Sequence, residues 1–414
     1  MTDVTEAQRH QTRRTPDFGP LSGVRIVYSG VAIAGPWAST VLAEFGADVL
    51  WLENAAAPEF TRDLRPLLIE QERRNQRNLA IDIPSPAGRE ILGRLLADAD
   101  VFIENSKGGQ FAGWGLTDEV LWEANPALVI AHISGYGQTG DPGYIGRPAT
   151  DPIAQAFGCY LQLNGGPDGP ATPAVPFTAD YLTALYASTA VLAALHRSRA
   201  TGEGESIDVA MFEVLLRAGG VQPLLYLNEG EEPSRASSYH SRSPGSGVIT
   251  CGDGRDVYVI LRGEGVLRRS LPLFGLEYGS SDYPEGTYIV RFGTPAGDEL
   301  ERRVHAFCKE HSAQEVARIF SEHGILCSAS YTYEDALADP HYQARQVFTS
   351  WQSVDGAEIR GVKVVPEFKK RPGRIWAGAP RFGMDTDSVL ADLGYSPEEI
   401  TQLCEANVVA RPSS

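Results

Sequence analysis

The chain is poor in cysteine, in histidine, in long apolar runs and in positive charge. Its five cysteines (Cys159, Cys251, Cys308, Cys327 and Cys404) are scattered through 414 residues, and none stands in a paired spacing. Zinc and dithiol chemistry need such pairs, and the eight histidines show no ligand spacing either, so no metal site is expected. A sparse, odd set of thiols fits a reducing compartment, which makes the cytoplasm the expected location. The longest uncharged apolar stretch, Tyr181 to Leu195, is too short for a bilayer and is diluted by Ala, Thr and Ser. Residues 1–18 contain no apolar signal-peptide core and read as a polar, flexible tail. Lys and Arg total 36 against 53 Asp and Glu, a formal net charge of −17. Such a surface repels phosphate backbones and anionic lipid, so neither nucleic acid nor membrane is expected as a general partner. A small anionic ligand stays compatible with that charge if a local basic pocket holds it.

What is present is an alternation of β-rich and helical stretches up to about residue 210. Strands are expected at Val24 to Ser29, Asp48 to Glu53, Leu79 to Ile83, Val101 to Glu104 and Leu128 to Ser134. Between them, Ser85-Pro86 and Thr117 mark helix starts. Strands separated by helices imply crossover connections and a parallel sheet covered on both faces, an α/β domain. The polar, Gly/Pro/Ser-rich stretch 228–247 reads as a linker. Beyond it, a strand at Asp256 to Leu261 and helices at Glu299 to Cys308 and Gln314 to Ser321 suggest a smaller α+β domain. The expected division is therefore 1–18 as tail, 19–227 as the first part of a large domain, 228–330 as linker and small domain, and 331–414 as a return to the large one.

Three motifs bear on chemistry. After the first strand, Gly30-Val31-Ala32-Ile33-Ala34-Gly35 has the wrong spacing for a dinucleotide fingerprint, and Glu53 reads as a solvated strand end. Asn105-Ser106-Lys107-Gly108-Gly109 follows another strand, where ligands of open α/β sheets bind, and its lysine suits a phosphate. Phe177-Thr178-Ala179-Asp180 leads into a helix whose apolar positions predict burial nearly all round. Asp180 at that helix start either caps it or, kept ionised by the dipole and the free N–H groups, serves as a nucleophile towards an activated acyl group. The same N–H groups are candidates to stabilise the resulting oxyanion.

Seven segments in order resemble the family III CoA-transferases of the CaiB/BaiF group. They are LSGVRIVYSG, VLAEFGADVLWLEN, RRNQRNLAIDI, ADVFIENSKG, NPALVIAHISGYGQTG, FTADYLTALYASTAVLAALHRSRATGEGESIDVAMFEVLLR and GMDTDSVLADLGYSPEEI. Within that family FTADY, TGEGESIDVAM and GRIWAGAPRFGMDT are most similar to its L-carnitine CoA-transferase branch. The resemblance implies a large Rossmann-like domain built from both chain ends, a small domain from the middle, and an interlocked homodimer. It implies CoA and acyl-CoA as substrates, with no tightly bound cofactor and a small carboxylic acid as the second partner. The expected reaction passes CoA between γ-butyrobetainyl-CoA or crotonobetainyl-CoA and L-carnitine through an aspartyl anhydride and an aspartyl-CoA thioester.

The family's catalytic aspartate falls on Asp180, and a CoA-contacting lysine falls on Lys107. An arginine of the carnitine enzyme corresponds to Trp114, so Arg73, Arg74 or Arg77 is expected to compensate. Ala32, in the Val31 to Ala34 stretch, and Arg74 and Arg77, in the Arg74 to Leu79 stretch, match segments that line the CoA site in relatives. Gly245-Ser246-Gly247 matches glycines that close over the aspartate in relatives. Acyl-CoA racemases share the fold, but they place a histidine before an Asp-Ile pair, where this chain has Thr150-Asp151-Pro152-Ile153. Transfer to another acid (a bile acid, succinate or an aromatic acid) is the alternative reading. For a trimethylammonium group, Tyr136, Tyr160 and Tyr181 are candidates.

Overall fold

The computed structural model describes residues 14–166, 169–233, 235 and 243–412. Most of the tail assigned to 1–18 and part of the linker at 228–247 lie outside these residues. The chain divides into two compact units, one running to Leu161 with Thr172–Leu224 and the chain from Gln346 onward, the other comprising Gln162–Ala171 and Leu225–Arg345. The chain returns to the larger unit at Gln346, not 331, because the segment after the small sheet folds into two further short helices, Tyr333–Ala338 and Pro340–Ala344, of the smaller one.

In the larger unit the strands are β1 (Arg25–Ser29), β2 (Asp48–Glu53), β3 (Gln76–Ile81), β4 (Val101–Glu104), β5 (Val129–Ser134) and β6 (Glu205–Ala210). The smaller unit holds β7 (Gly247–Thr250), β8 (Asp256–Ile260) and β9 (Leu326–Ala329). The larger unit resumes with β10 (Phe348–Gln352), β11 (Glu358–Val362) and β12 (Val409–Ala410). Its main sheet has the order β12-β3-β2-β1-β4-β5-β6, parallel except for β12, which runs antiparallel along β3. The hairpin β10-β11 stands apart from that sheet.

Strand side chains alternate between two cores, as the period-2 geometry requires. Ile26, Tyr28, Val49, Trp51, Ile103 and Ile133 pack on one face with the helices Ala34–Glu44 and Thr178–Thr201. Val27, Leu50, Leu79, Phe102 and Ile130 pack on the other with the helix Pro86–Ala97 and the C-terminal helices Thr386–Asp392 and Pro397–Glu405. Burial on both faces explains why these strands read as continuous apolar runs. The Ser85 hydroxyl caps its helix by accepting the Gly88 amide, with Pro86 at the first helical position, as expected.

Two expectations about elements are corrected. β3 begins at Gln76, three residues before the apolar run, because its polar start finds hydrogen-bond partners: Gln76 donates to Thr40, Arg77 to Asp48 and Asn78 to Glu53. The Thr178–Thr201 helix is not buried all round. Ala184, Ala187, Val191 and Leu195 face the core, but Leu185, Tyr186 and Leu192 are exposed.

The smaller unit is a three-stranded antiparallel sheet, β7-β8-β9, covered by helices Pro295–Glu310 and Ala313–Glu322. Val257, Val259, Leu300, Val304, Val316 and Phe320 form its core. A capping box between Ser312 and Glu315 starts the second helix. Gly245 and Gly247 belong to this unit, both at positive φ (+74° and +117°).

Candidate active site

Strands β1, β2, β4 and β5 end side by side at Ser29, Glu53, Glu104 and Ser134, and the loops that follow them line a cavity of about 720 Å³. It lies where open parallel sheets hold ligands, beyond the carboxyl ends of the strands. Ala32, Lys107, Trp114, Arg147, Asp180 and Met211 are among the residues lining it. Three sequence-selected residues, Ala32, Lys107 and Asp180, are therefore brought together from positions far apart in the chain.

Two residues expected beside them are elsewhere. Arg74 is buried, its Nε donates to Glu44 Oε1 at 2.5 Å, and its guanidinium stacks 4.9 Å from the Trp351 ring centroid. Arg77 pairs with Asp48 at 2.8 Å and lines a different cavity, with Gly23, Arg25 and Gly46 at the opposite ends of β1 and β2. Neither lines the main cavity beside Trp114. Arg147 does line the main cavity, with its guanidinium 4.2 Å from the Tyr144 ring centroid. Only its place in the loop after β5 could have singled it out.

The cavity wall is braced by buried charge. Arg73 and Glu59, both with fully buried side chains, pair at 2.8 Å, and Glu59 Oε1 accepts the Ala32 amide at 2.9 Å. Ala32 itself sits at φ +62°. Glu53 is not a solvated strand end. It is 4% exposed and accepts from Arg62 Nε and Nη2, the Glu59 amide and Asn78 Nδ2, at 2.7 to 2.9 Å. Arg62 and Arg73 each lie over the Trp51 ring, 4.7 and 4.4 Å from its centroid. Gly30 has a packing reason: a Cβ there would come within 1.6 Å of Asn105 Oδ1. Asn105 bridges the loops after β1 and β4, accepting the Val31 amide (3.0 Å) and donating to the Val31 carbonyl (2.8 Å).

Asp180 lies in the first turn of its helix and is 8% exposed. Its carboxylate does not cap that helix. Asp151 does, its Oδ2 accepting the amides of Ala179 (2.6 Å) and Asp180 (3.2 Å), while its Oδ1 accepts from Gln155 Nε2 (2.6 Å). Those two N–H groups are thus occupied and are not the oxyanion donors expected from the sequence. Burial first, and the negative charge of Asp151 second, push Asp180 up to about 7. Burial and the neighbouring charge both disfavour the ionised form, against the expectation of a carboxylate held firmly ionised. The result is a poorly hydrated carboxylate that is more basic than a free one.

Of the three tyrosines considered, none lines the cavity. The Tyr181 hydroxyl donates to Glu72 Oε1 at 2.9 Å, and its ring meets Trp37 edge-on at 4.8 Å. Tyr136 packs on Phe157 at 5.1 Å, and Tyr160 lies against a small core with Ala154 and Leu215. Among the described residues no cluster of His, Cys, Asp or Glu is arranged to hold a metal ion, and no helix is long and apolar enough to cross a membrane.

Residues 21–386 match the model of CoA-transferase family III. The fold is similar to that of a CAIB/BAIF family protein from Brucella suis, with a TM-score of 0.77, 25% identity, and coverage of 91% of this chain and 100% of that one. It is also similar to Rv3272 from M. tuberculosis, with a TM-score of 0.75, 20% identity, and coverage of 90% and 99% respectively.

Proposed function

The chain belongs to CoA-transferase family III, and from that premise we propose that Asp180 is the nucleophile that carries CoA from an acyl-CoA to a free carboxylic acid. The observation that carries this reading is the joint placement of Asp180 and Lys107 in one cavity at the strand ends. In the first step the Asp180 carboxylate attacks the thioester carbonyl and the carbon–sulfur bond breaks. This leaves an aspartyl–acyl anhydride and CoA thiolate. The thiolate then attacks the aspartyl carbonyl, releasing the acyl group as a free carboxylate and leaving an aspartyl-CoA thioester. The acceptor carboxylate reverses the two steps. Each intermediate keeps the free energy of the thioester, provided water is excluded. Burial of Asp180 suits both needs, since it raises basicity and limits hydration.

Lys107 and Arg147 supply positive charge to the phosphates of CoA, against a net charge of −17. The acid pair is γ-butyrobetainyl-CoA or crotonobetainyl-CoA with L-carnitine, on the strength of the segments FTADY, TGEGESIDVAM and GRIWAGAPRFGMDT. Another acid pair is the second reading, and the absence of the candidate tyrosines from the cavity lining favours testing it. A homodimer is proposed from the family and from Leu185, Tyr186 and Leu192, apolar side chains left exposed on the Asp180 helix.

The test is mass spectrometry after incubation with acyl-CoA. A covalent adduct on the peptide carrying Asp180, absent in Asp180→Asn, supports the mechanism; normal transfer by that variant refutes it. Assay of γ-butyrobetainyl-CoA against a panel of acids decides the substrate, and activity on another acid without activity on L-carnitine removes the carnitine assignment.

A further inference from the structure

A polar chain, buried at two of its three members, runs beside the Lys107 turn. Glu104, the last residue of β4, and His132, on β5, are register partners, so their side chains leave the sheet on the same face. Glu104 Oε1 lies 2.7 Å from His132 Nδ1, and Asp118 Oδ1, at the start of the helix Asp118–Ala124, lies 2.9 Å from Nε2. Glu104 is 2% exposed and His132 7%. With a carboxylate at each ring nitrogen, both contacts are hydrogen bonds only when both nitrogens carry protons. Burial works against that charge, but the hydrogen bonds and negative charges of Asp118 and Glu104 outweigh it and push His132 up to about 9.

The second oxygen of Glu104 accepts the Ser106 amide at 2.7 Å. Ser106 stands between Asn105, which is stitched to Val31, and Lys107, which lines the cavity. A carboxylate thus grips the backbone of a turn whose next side chain is to receive an anion. Alone, that carboxylate would repel the anion, or would take up a proton and loosen its hold on the amide. A charged imidazole bonded to Glu104 offsets its negative charge locally and disfavours its protonation.

We propose that the Glu104–His132–Asp118 chain is a positioning device for the phosphates of CoA, in which His132 touches no ligand and acts through Glu104 and the Ser106 amide on Lys107. The inference rests on the reading that Lys107 meets those phosphates. It makes His132 a positioning residue for affinity and leaves the chemistry at Asp180 untouched.

A double-mutant cycle between His132→Leu and Lys107→Ala tests it, with calorimetric titration of CoA and, in parallel, of a pantetheine thioester that lacks the phosphates. His132→Leu is expected to weaken CoA about tenfold, to leave the pantetheine thioester unaffected, and to add nothing in the Lys107→Ala background. In steady state, KM for acyl-CoA rises while kcat holds. Equal weakening with and without Lys107, equal weakening of both ligands, or no weakening at all overturns the inference alone. Lys107→Ala without effect on CoA overturns the cavity reading and the inference with it. Should His132→Leu fail to fold, Asp118→Asn, at a partly exposed side chain, enters the same cycle under the same criteria, with an expected loss of about threefold.

Discussion

Asp151 Oδ2 accepts the backbone amide of Asp180 at 3.2 Å and that of Ala179 at 2.6 Å, so one aspartate caps the helix on which the other is presented. The pairing frees the Asp180 side chain for the cavity and places a second negative charge near it. Burial and that charge raise Asp180 to about 7. The attacking form is the carboxylate, so kcat/KM is expected to rise with pH along a limb centred near 7. Asp151→Asn keeps an oxygen to accept an amide and removes the charge, so the limb moves down by about half a unit to one unit. A pH–rate profile of the two proteins checks this, and an unmoved limb removes Asp151 from the account.

The same raised value makes a prediction about stability. Asp180 titrates near 3.8 when unfolded and near 7 when folded. Between those values the native chain holds more protons than the unfolded one, so the contribution of Asp180 to stability falls as pH rises and is lowest above 7. Among the described residues no basic group pairs with Asp180, so Asp180→Asn removes a buried charge without compensation. The inactive variant is expected to melt ~2 °C or more above the parent at pH 8, with a smaller gain at pH 5. Thermal melts at the two values test the sign; a lower melting temperature at pH 8 contradicts it.

Strands β1, β2, β4 and β5 were legible because both of their faces are apolar, as at β4, where Val101, Phe102 and Ile103 are wholly buried; β6, whose first four residues are not buried, was not. β3 was misplaced because Gln76, Arg77 and Asn78 look like loop residues until Thr40, Asp48 and Glu53 are brought beside them. The family resemblance carried Asp180, Lys107 and Ala32 into one cavity. It carried Arg74 and Arg77 along with them, although each has a carboxylate partner outside that cavity. Ion pairing between distant segments leaves no periodic trace, and for the same reason neither the cap from Asp151 nor the placing of Arg147 was visible. The helix Thr178–Thr201 misled in another way. Its apolar residues surround the axis, but a single chain covers only one side.

The division between the cavity cations, Lys107 and Arg147, and the arginines paired outside it, Arg74 and Arg77, is open to direct test. Lys107→Ala and Arg147→Ala are each expected to weaken CoA binding, about tenfold for a lost charge-assisted phosphate contact. Arg77→Ala, which breaks a pair with Asp48 in the other cavity, is expected to leave CoA affinity within about twofold. Calorimetric titration at two salt concentrations discriminates further, because the losses at Lys107 and Arg147 shrink as salt rises. An Arg77→Ala effect equal to that of Lys107→Ala would return Arg77 to the site.

The pair Glu59–Arg73 stands behind the cavity wall at Ala32. Both side chains are wholly buried, and the same carboxylate holds the amide of Ala32. Glu59→Gln leaves the Arg73 charge buried and without its partner, a loss of about 3 to 5 kcal/mol by the usual behaviour of broken buried pairs. Replacing both residues, Glu59→Gln with Arg73→Met, removes the uncompensated charge, so much of that loss is expected to return in urea unfolding. The contact with Ala32 is weakened from a charged to a neutral acceptor in both proteins. CoA affinity should therefore stay reduced in the double variant even as its stability recovers. Recovery of both together would mean that the pair serves the fold alone; recovery of stability with affinity still low places the loop at Ala32 in the binding of CoA.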